Sequence, residues 1–141
     1  MSPSFNIIPK DQLTTILPLL KKLDPAIGED VLEERLAGMM DLNYQCVGVY
    51  QNDQLIGMSG FWLLNKYYVG KHLEPDNVFI LEEYRSGGLG HLLIEWLENY
   101  ARKAGCRAIE LNCYLKNTEG NRFWEKEGYR PLGIHYQKIL E

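Results

Sequence analysis

Phe79-Ile80-Leu81-Glu82-Glu83-Tyr84-Arg85-Ser86-Gly87-Gly88-Leu89-Gly90 is the stretch that decides the fold: an apolar, strand-like run ends in a glycine-dense turn and opens directly into a helix. Glycines at 87, 88 and 90 let the backbone approach a ligand closely. The helix beyond them presents unpaired N–H groups and the positive end of its dipole. The favoured ligand therefore carries phosphate. Working outward, Leu89, Leu92, Leu93, Trp96, Leu97, Tyr100 and Ala104 recur at helical spacing, and Gly105 supplies a C-cap. Ala108 to Tyr114 reads as a strand. Strand, helix and strand together describe a crossover that sets two neighbouring strands parallel.

Upstream, Ser4 to Ile8 reads as a short strand stopped by Pro9. Asp11 is placed to cap a helix through Leu13, Ile16, Leu17 and Leu20, with Pro18 bending or interrupting it. Val31, Leu32, Leu36, Met39 and Met40 give a second helix over about Glu29 to Met40. Gln45 to Gln51 and Leu55 to Leu64 flank Asn52-Asp53 as an antiparallel hairpin, and the next strand is expected from about Asp76 to Leu81. Beyond the crossover, Thr118 to Glu127 reads as a short helix closed by Gly128, and Tyr129 to Ile139 as one or two final strands. The fold class expected is α/β (α+β).

At 141 residues and 45% apolar content, the chain suits a single domain over residues 1–141. Fifteen basic residues scattered among 19 acidic ones, for a net charge of −4, mark no nucleic-acid or membrane face. Cys46, Cys106 and Cys113 lack Cys-x-x-Cys spacing and read as reduced. His72, His91 and His135 stand apart, so no metal site is expected. With no basic leader and no apolar run of spanning length, a cytoplasmic location is expected.

Two common glycine-loop readings fail on their spacing. A nucleotide P-loop ends in Gly-Lys-Ser or Gly-Lys-Thr, whereas Gly90 is followed by His91-Leu92. A dinucleotide fingerprint from Gly88-Leu89-Gly90 needs a third glycine where Leu93 stands. Arg85-Ser86-Gly87-Gly88-Leu89-Gly90 instead resembles the Arg/Gln-x-x-Gly-x-Gly/Ala signature of the GCN5-related N-acetyltransferase family. Asn117-Thr118-Glu119-Gly120-Asn121-Arg122-Phe123-Trp124-Glu125-Lys126-Glu127-Gly128-Tyr129 is similar to that family's Asn-x-x-Ala-x-x-Phe-Tyr-x-x-x-Gly-Phe segment.

The resemblance implies a mixed, mostly antiparallel sheet of six or seven strands. A central parallel pair would splay at the cofactor, and about four helices would flank the sheet. It further implies acetyl-coenzyme A as cosubstrate, with Arg85, Ser86, Gly87, Gly88, Leu89, Gly90 and His91 around the pyrophosphate. Phe79, Ile80, Leu81 and Glu82 would pair their backbone with the pantetheine arm. Asn117 would contact the same arm, a role compatible with capping a helix.

Acetyl transfer to an amine needs a neutral nitrogen, and an alkyl ammonium of pKa about 10.4 is only about one part in a thousand deprotonated at neutral pH. The strand before the glycine turn is where the family carries a carboxylate for this task, which makes Asp76 the first candidate and Glu74 the second. Trp124 stands where a tyrosine often protonates the leaving thiolate. Indole has no comparably acidic proton, so it is left to hydrogen-bond the sulfur, contact the cofactor or pack. A thiol pKa of about 8.5 makes the leaving group tolerable without that acid.

The acceptor is expected to be a small-molecule amine. Asp24, Glu29, Asp30, Glu33, Glu34 and Asp41 point to a cationic one. A loose likeness to aminoalkylphosphonate acetyltransferases points to an anionic one. The alternatives are a noncatalytic acyl-coenzyme A binding module and a protein lysine or N-terminal acetyltransferase. An apolar terminal strand either closes the sheet or pairs with a second copy as a homodimer.

Overall fold

Asn52 and Asp53 both adopt left-handed backbone angles, with φ of 52° and 60°. That conformation is cheap for Asn and Asp, and it closes a two-residue hairpin whose twist matches its strands. The hairpin pairs β2 (Gln45–Gln51) with β3 (Gln54–Lys66). It is the centre of a computed structural model that describes residues 2–141 and divides into two units, one ending at Glu110 and the other Leu111–Glu141.

In the first unit, five strands among the described residues form one sheet in chain order: β1 (Ser4–Ile7), β2, β3, β4 (Gly70–Ile80) and β5 (Ala108–Ile109). β1 pairs antiparallel with β2, and β4 pairs antiparallel with β3. β4 starts at Gly70, where the sequence pattern suggested Asp76. The run between holds Lys71, Glu74 and Pro75, which weaken its strand pattern, yet β3 is long enough to template it.

A 3-10 helix (Lys10–Ile16) runs into α1 (Leu17–Leu23), with Pro18 in the first turn, where a missing N–H costs nothing. Pro9, not Asp11, occupies the N-terminal boundary of the first of these. α2 spans Glu29–Asp41. Leu13, Ile16, Leu19, Leu20, Leu32 and Leu36 from these helices bury against Tyr44, Cys46 and Met58 of the sheet side. Successive strand residues face opposite ways, so Phe61 lies on the other face, where it meets Tyr100 of α3 (Leu89–Lys103) at 5.1 Å between ring centroids. Helices therefore cover both faces. The buried stripe of α3 is Leu89, Leu93, Ile94, Leu97 and Ala101, while Leu92, expected inside, is exposed.

β5 is only Ala108–Ile109, although the pattern suggested a strand to Tyr114. It pairs parallel with β4 at His72↔Ala108 and Leu73↔Ile109, and the last bond runs from Glu110 N–H to Leu73 C=O. Just beyond, β4 carries a bulge: Met58 pairs with Phe79 and Gly60 with Asp76, so one residue of β3 faces Asn77 and Val78 of β4. A bulge bends its strand and sharpens its twist, and a parallel neighbour then loses register.

The second unit holds α4 (Thr118–Lys126), capped by Asn117 and followed by Gly128 at φ 96°. Residues 129–139 form no strand, although Leu132, Ile134 and Tyr136 alternate as a strand would; all three are exposed. Alternation supplies a face, whereas a strand also needs a ladder partner, and among the described residues this segment has none. Among the described residues the sheet thus has five strands rather than six or seven, and the parallel pair lies at its edge rather than its centre.

Candidate active site at the fork of β4 and β5

Because β5 ends at Ile109, one side of β4 has no strand partner among the described residues from Glu74 to Ile80. Leu81 N–H bonds Ile56 C=O on β3 at 2.8 Å, so the Ile80 peptide groups point away from β3, toward the open side. Phe79, one of the residues expected to offer its backbone, belongs instead to the β3 ladder. The bulge causes this switch by shifting the alternation one residue.

Arg85 closes the end of this edge. Its Nε donates to Ile80 C=O at 2.6 Å, and its guanidinium lies 5.1 Å from the Phe79 ring centroid. Arg85 is thus a clamp holding the loop to the strand end. The loop itself is a 3-10 helix (Glu82–Gly87) rather than a bare turn, and Gly88 at φ 76° converts it into α3. A β-carbon at Gly87 or Gly88 would meet nothing within 4 Å, so it is the left-handed angle at 88 that requires glycine, and the space over both is open. The first intrahelical bond of α3 is Leu92 N–H to Gly88 C=O, which leaves the preceding amides of Leu89 and Gly90 directed along the axis. Leu89 itself is buried, which leaves only its backbone available to a ligand, and His91 pairs with Glu95 at 3.8 Å. Glu82 and Ser86 are exposed on the 3-10 helix. An open strand edge leading to a helix N-terminus fits an extended, amide-bearing chain that ends in phosphates.

Asp76 sits immediately before the bulge. Trp62 Nε1 donates to Asp76 Oδ2 at 3.0 Å, and the neighbouring Tyr44 hydroxyl donates to Asn77 Oδ1 at 3.1 Å. The Tyr44 and Trp62 rings meet at 5.2 Å. Tyr44 lies across Gly60, where any methyl would overlap its ring. Asn77 takes φ of 60°, a conformation that asparagine tolerates. Burial above all, then the charges of Cys46 and Asp76, drive the Tyr44 hydroxyl far above its ordinary range, so it remains a donor. Burial also pushes the Cys46 thiol up to about 12, which removes it as a nucleophile.

Glu74 is half-buried on the same face as Asp76. Burial, then the charge of Asp76, raises its pKa above the ordinary carboxylate value, with His72 and Lys66 opposing and Glu110 reinforcing. Tyr44, Trp62 and Asn77 were not singled out from the sequence. Asn77 next to Asp76 after Pro75 was the available signal, because an Asx residue inside a strand pattern is where a bulge can form.

Asn117 and Trp124 belong to the second unit. Asn117 Oδ1 accepts from Gly120 N–H at 3.0 Å, the capping role that was open to it. Gly120 is required there, because a β-carbon would run into the Asn117 amide. Trp124 packs edge-on against Phe123 at 5.2 Å and Tyr129 at 5.1 Å.

Known proteins share this plan. Residues 14–129 match the profile of the acetyltransferase (GNAT) family, most of the chain. The chain belongs to that family. A GNAT relative from Salmonella typhimurium, an aminoalkylphosphonate N-acetyltransferase, is 28% identical over 108 residues, covering 74% of this chain and 68% of that one. The aminoglycoside N-acetyltransferase AAC(6')-Iy, solved in complex with coenzyme A, superposes with a TM-score of 0.81 at 18% identity over 99% of this chain and 96% of that one. A ribosomal-protein-alanine N-acetyltransferase from Brucella melitensis gives 0.83 at 17% identity, covering 99% and 100%. At such identities the two structures establish the shared GNAT fold. Acetyltransferases of this family use acetyl-coenzyme A, which the open edge and helix end of this chain fit. No helix among the described residues is long and apolar enough to cross a membrane.

Proposed function

We propose that the chain, acting as one N-acetyltransferase domain over residues 1–141, transfers acetyl from acetyl-coenzyme A to a primary amine of a small molecule by direct attack. The observation that carries this reading is the position of Asp76 beside the bulge, where the closed ladder of β4 becomes an open edge. Acetyl-coenzyme A supplies an activated thioester. Ile80 offers backbone groups to its amide-bearing arm, and the Arg85 to Gly90 loop with the first turn of α3 receives its phosphates. Asp76, oriented by Trp62, takes a proton from the acceptor ammonium directly or through one water. The freed lone pair forms the new N–C bond as the C–S bond breaks, and the nitrogen's second proton leaves with the thiolate. Buried thiols play no part, because Cys46 is held as a thiol.

A protein acceptor is disfavoured by the half-buried setting of Asp76 and Glu74 beneath aromatic side chains. The acidic residues of α2 that suggested a cationic acceptor, Glu29, Asp30, Glu33, Glu34 and Asp41, are on exposed faces, as is Asp24. They serve solubility as well as recognition.

The test measures free thiol release from acetyl-coenzyme A across simple amines, aminophosphonates, aminoglycosides and a lysine peptide, beside calorimetric binding of coenzyme A. Turnover on a free amine above the peptide is expected. Coenzyme A binding without thiol release on any amine would identify a noncatalytic binding module and overturn the proposal.

A further inference from the structure

Abreast residues of parallel strands share a face, so the pairing of His72 with Ala108 and Leu73 with Ile109 brings Glu110 beside Glu74. Trp62 of β3 stands opposite Glu74 on its other flank. The result is a row across three strands: Trp62, Glu74, Glu110. Asp76 lies one step along the same face, held by Trp62, and Tyr68 from the turn that closes the β3–β4 hairpin donates its hydroxyl to Glu110. Three carboxylates therefore share one patch.

No salt bridge neutralises them among the described residues. None of Glu74, Asp76 and Glu110 forms an ion pair among the described residues; His72 and Lys66 are near enough to oppose the shift at Glu74, but neither is bonded to it. His72 lies on the same face next to Glu74, 1% exposed, and its Nδ1 has no hydrogen-bond partner. Leaving a buried polar atom unpaired costs on the order of 1–3 kcal/mol, so such an atom beside carboxylates that lack an ion pair points to a missing partner that supplies both charge and donors.

We propose that this row is the acceptor subsite and that it takes an elongated organic dication, a diamine or polyamine, whose reacting nitrogen lies at Asp76 and whose distal ammonium lies between Glu74 and Glu110. The inference rests on amine acetylation as the reaction. An ammonium supplies several donors to carboxylates and to an imidazole nitrogen, and the Trp62 and Tyr68 rings give its methylene chain an apolar wall. A divalent metal is the wrong occupant: no three acidic, histidine or cysteine groups among the described residues converge as metal ligands do. A phosphonate or carboxylate on the acceptor would meet three like charges. The Glu74 and Glu110 carboxylates lie abreast rather than around a point, which suits a linear cation.

The decisive experiment compares kcat/KM for 1,4-diaminobutane, 1-aminobutane and 3-aminopropylphosphonate in wild type and Glu110→Gln, with calorimetry of 1,4-diaminobutane binding at low and high salt. The diamine should exceed the monoamine by about tenfold or more, as expected of one added close charge pair, and the aminophosphonate should be slowest. Glu110→Gln should shrink the diamine preference toward unity, mainly through KM. An unchanged preference in that variant, or a wild type that favours the aminophosphonate, would overturn the assignment. If no acceptor releases thiol, the transfer reading fails while the binding arm still decides this one. Salt-sensitive diamine binding that weakens in Glu110→Gln upholds the cation site, and absent or unchanged binding sinks it.

Discussion

The two ends of β4 do opposite jobs with opposite materials. At its C-terminal end the candidate cofactor grip is made of backbone: the peptide groups of Ile80, a left-handed glycine at 88 and the amides that open α3. Around Glu74 and Asp76 the candidate acceptor site is made of side chains, drawn from β3, β4, the hairpin turn and the residue after β5. A backbone site is indifferent to most side chains and is written locally, in glycine spacing. The side-chain site exists only once strand register has brought residues far apart in sequence side by side.

The sharpest way to break that contrast is at Asp76. Asp76→Asn keeps the shape and can still accept from Trp62, but it cannot take a proton. A general base contributes about 10²- to 10⁴-fold, so kcat should fall by that range while coenzyme A binding is unchanged. A pH–rate profile of the variant that keeps its wild-type shape and height would remove Asp76 from the mechanism.

Gly60→Ala tests the scaffold beneath the side-chain site. The added methyl displaces Tyr44, and with it the donor to Asn77 and the ring against Trp62. Overpacking of this kind costs about 1–3 kcal/mol, read as a lower urea midpoint with unchanged slope. Acceptor KM should rise with it. A variant of wild-type stability would show that Tyr44 moves freely and does not fix the bulge.

Arg85→Glu addresses the other end. It removes the bond to Ile80 C=O and the contact with Phe79, and it sets a negative charge beside the phosphate approach. Coenzyme A Kd should rise by about tenfold, the size of a single exposed charge reversal at an anion site, and acceptor KM should not follow. Equal loss in both ligands would mean that the two ends are not separable.

The same contrast explains what the sequence made legible. The helix α3, the β2–β3 hairpin, the Gly88 turn and the Asn117 cap are local patterns, and each appears where spacing and turn chemistry put it. The start of β4 is not legible in the sequence because Lys71, Glu74 and Pro75 break a strand pattern that only β3 makes good. The grouping of Tyr44, Trp62, Asn77 and Glu110 is illegible for a related reason. Their proximity depends on a bulge and a two-residue parallel ladder, neither of which leaves a periodic trace. Residues 129–139 show the converse failure, a strand-like alternation without a ladder. The pairing of Arg85 with Ile80 C=O likewise depends on which peptide faces the open edge, and the bulge decides that.

The smallest effect is also the most specific to the acidic patch. Glu74 ionises from a position where burial, Asp76 and Glu110 all oppose the charge, so its folded-state pKa lies above its ordinary value of 4.5. The folded protein then holds the proton to higher pH than the unfolded chain does. Stability from this group is full below the ordinary value and is lost as pH rises through the folded one. Glu74→Gln, which never ionises, should flatten the decline in thermal midpoint from about pH 4 upward, and solvent screening keeps the gain at neutral pH below roughly 1 kcal/mol. A dication bound to the patch offsets the same repulsion, so 1,4-diaminobutane should raise the wild-type midpoint at pH 7 and raise that of Glu74→Gln less. Superimposable pH curves for the two proteins would mean that the three carboxylates relieve one another by moving into solvent, and the contrast between a backbone anion site and a side-chain cation site would lose its second half.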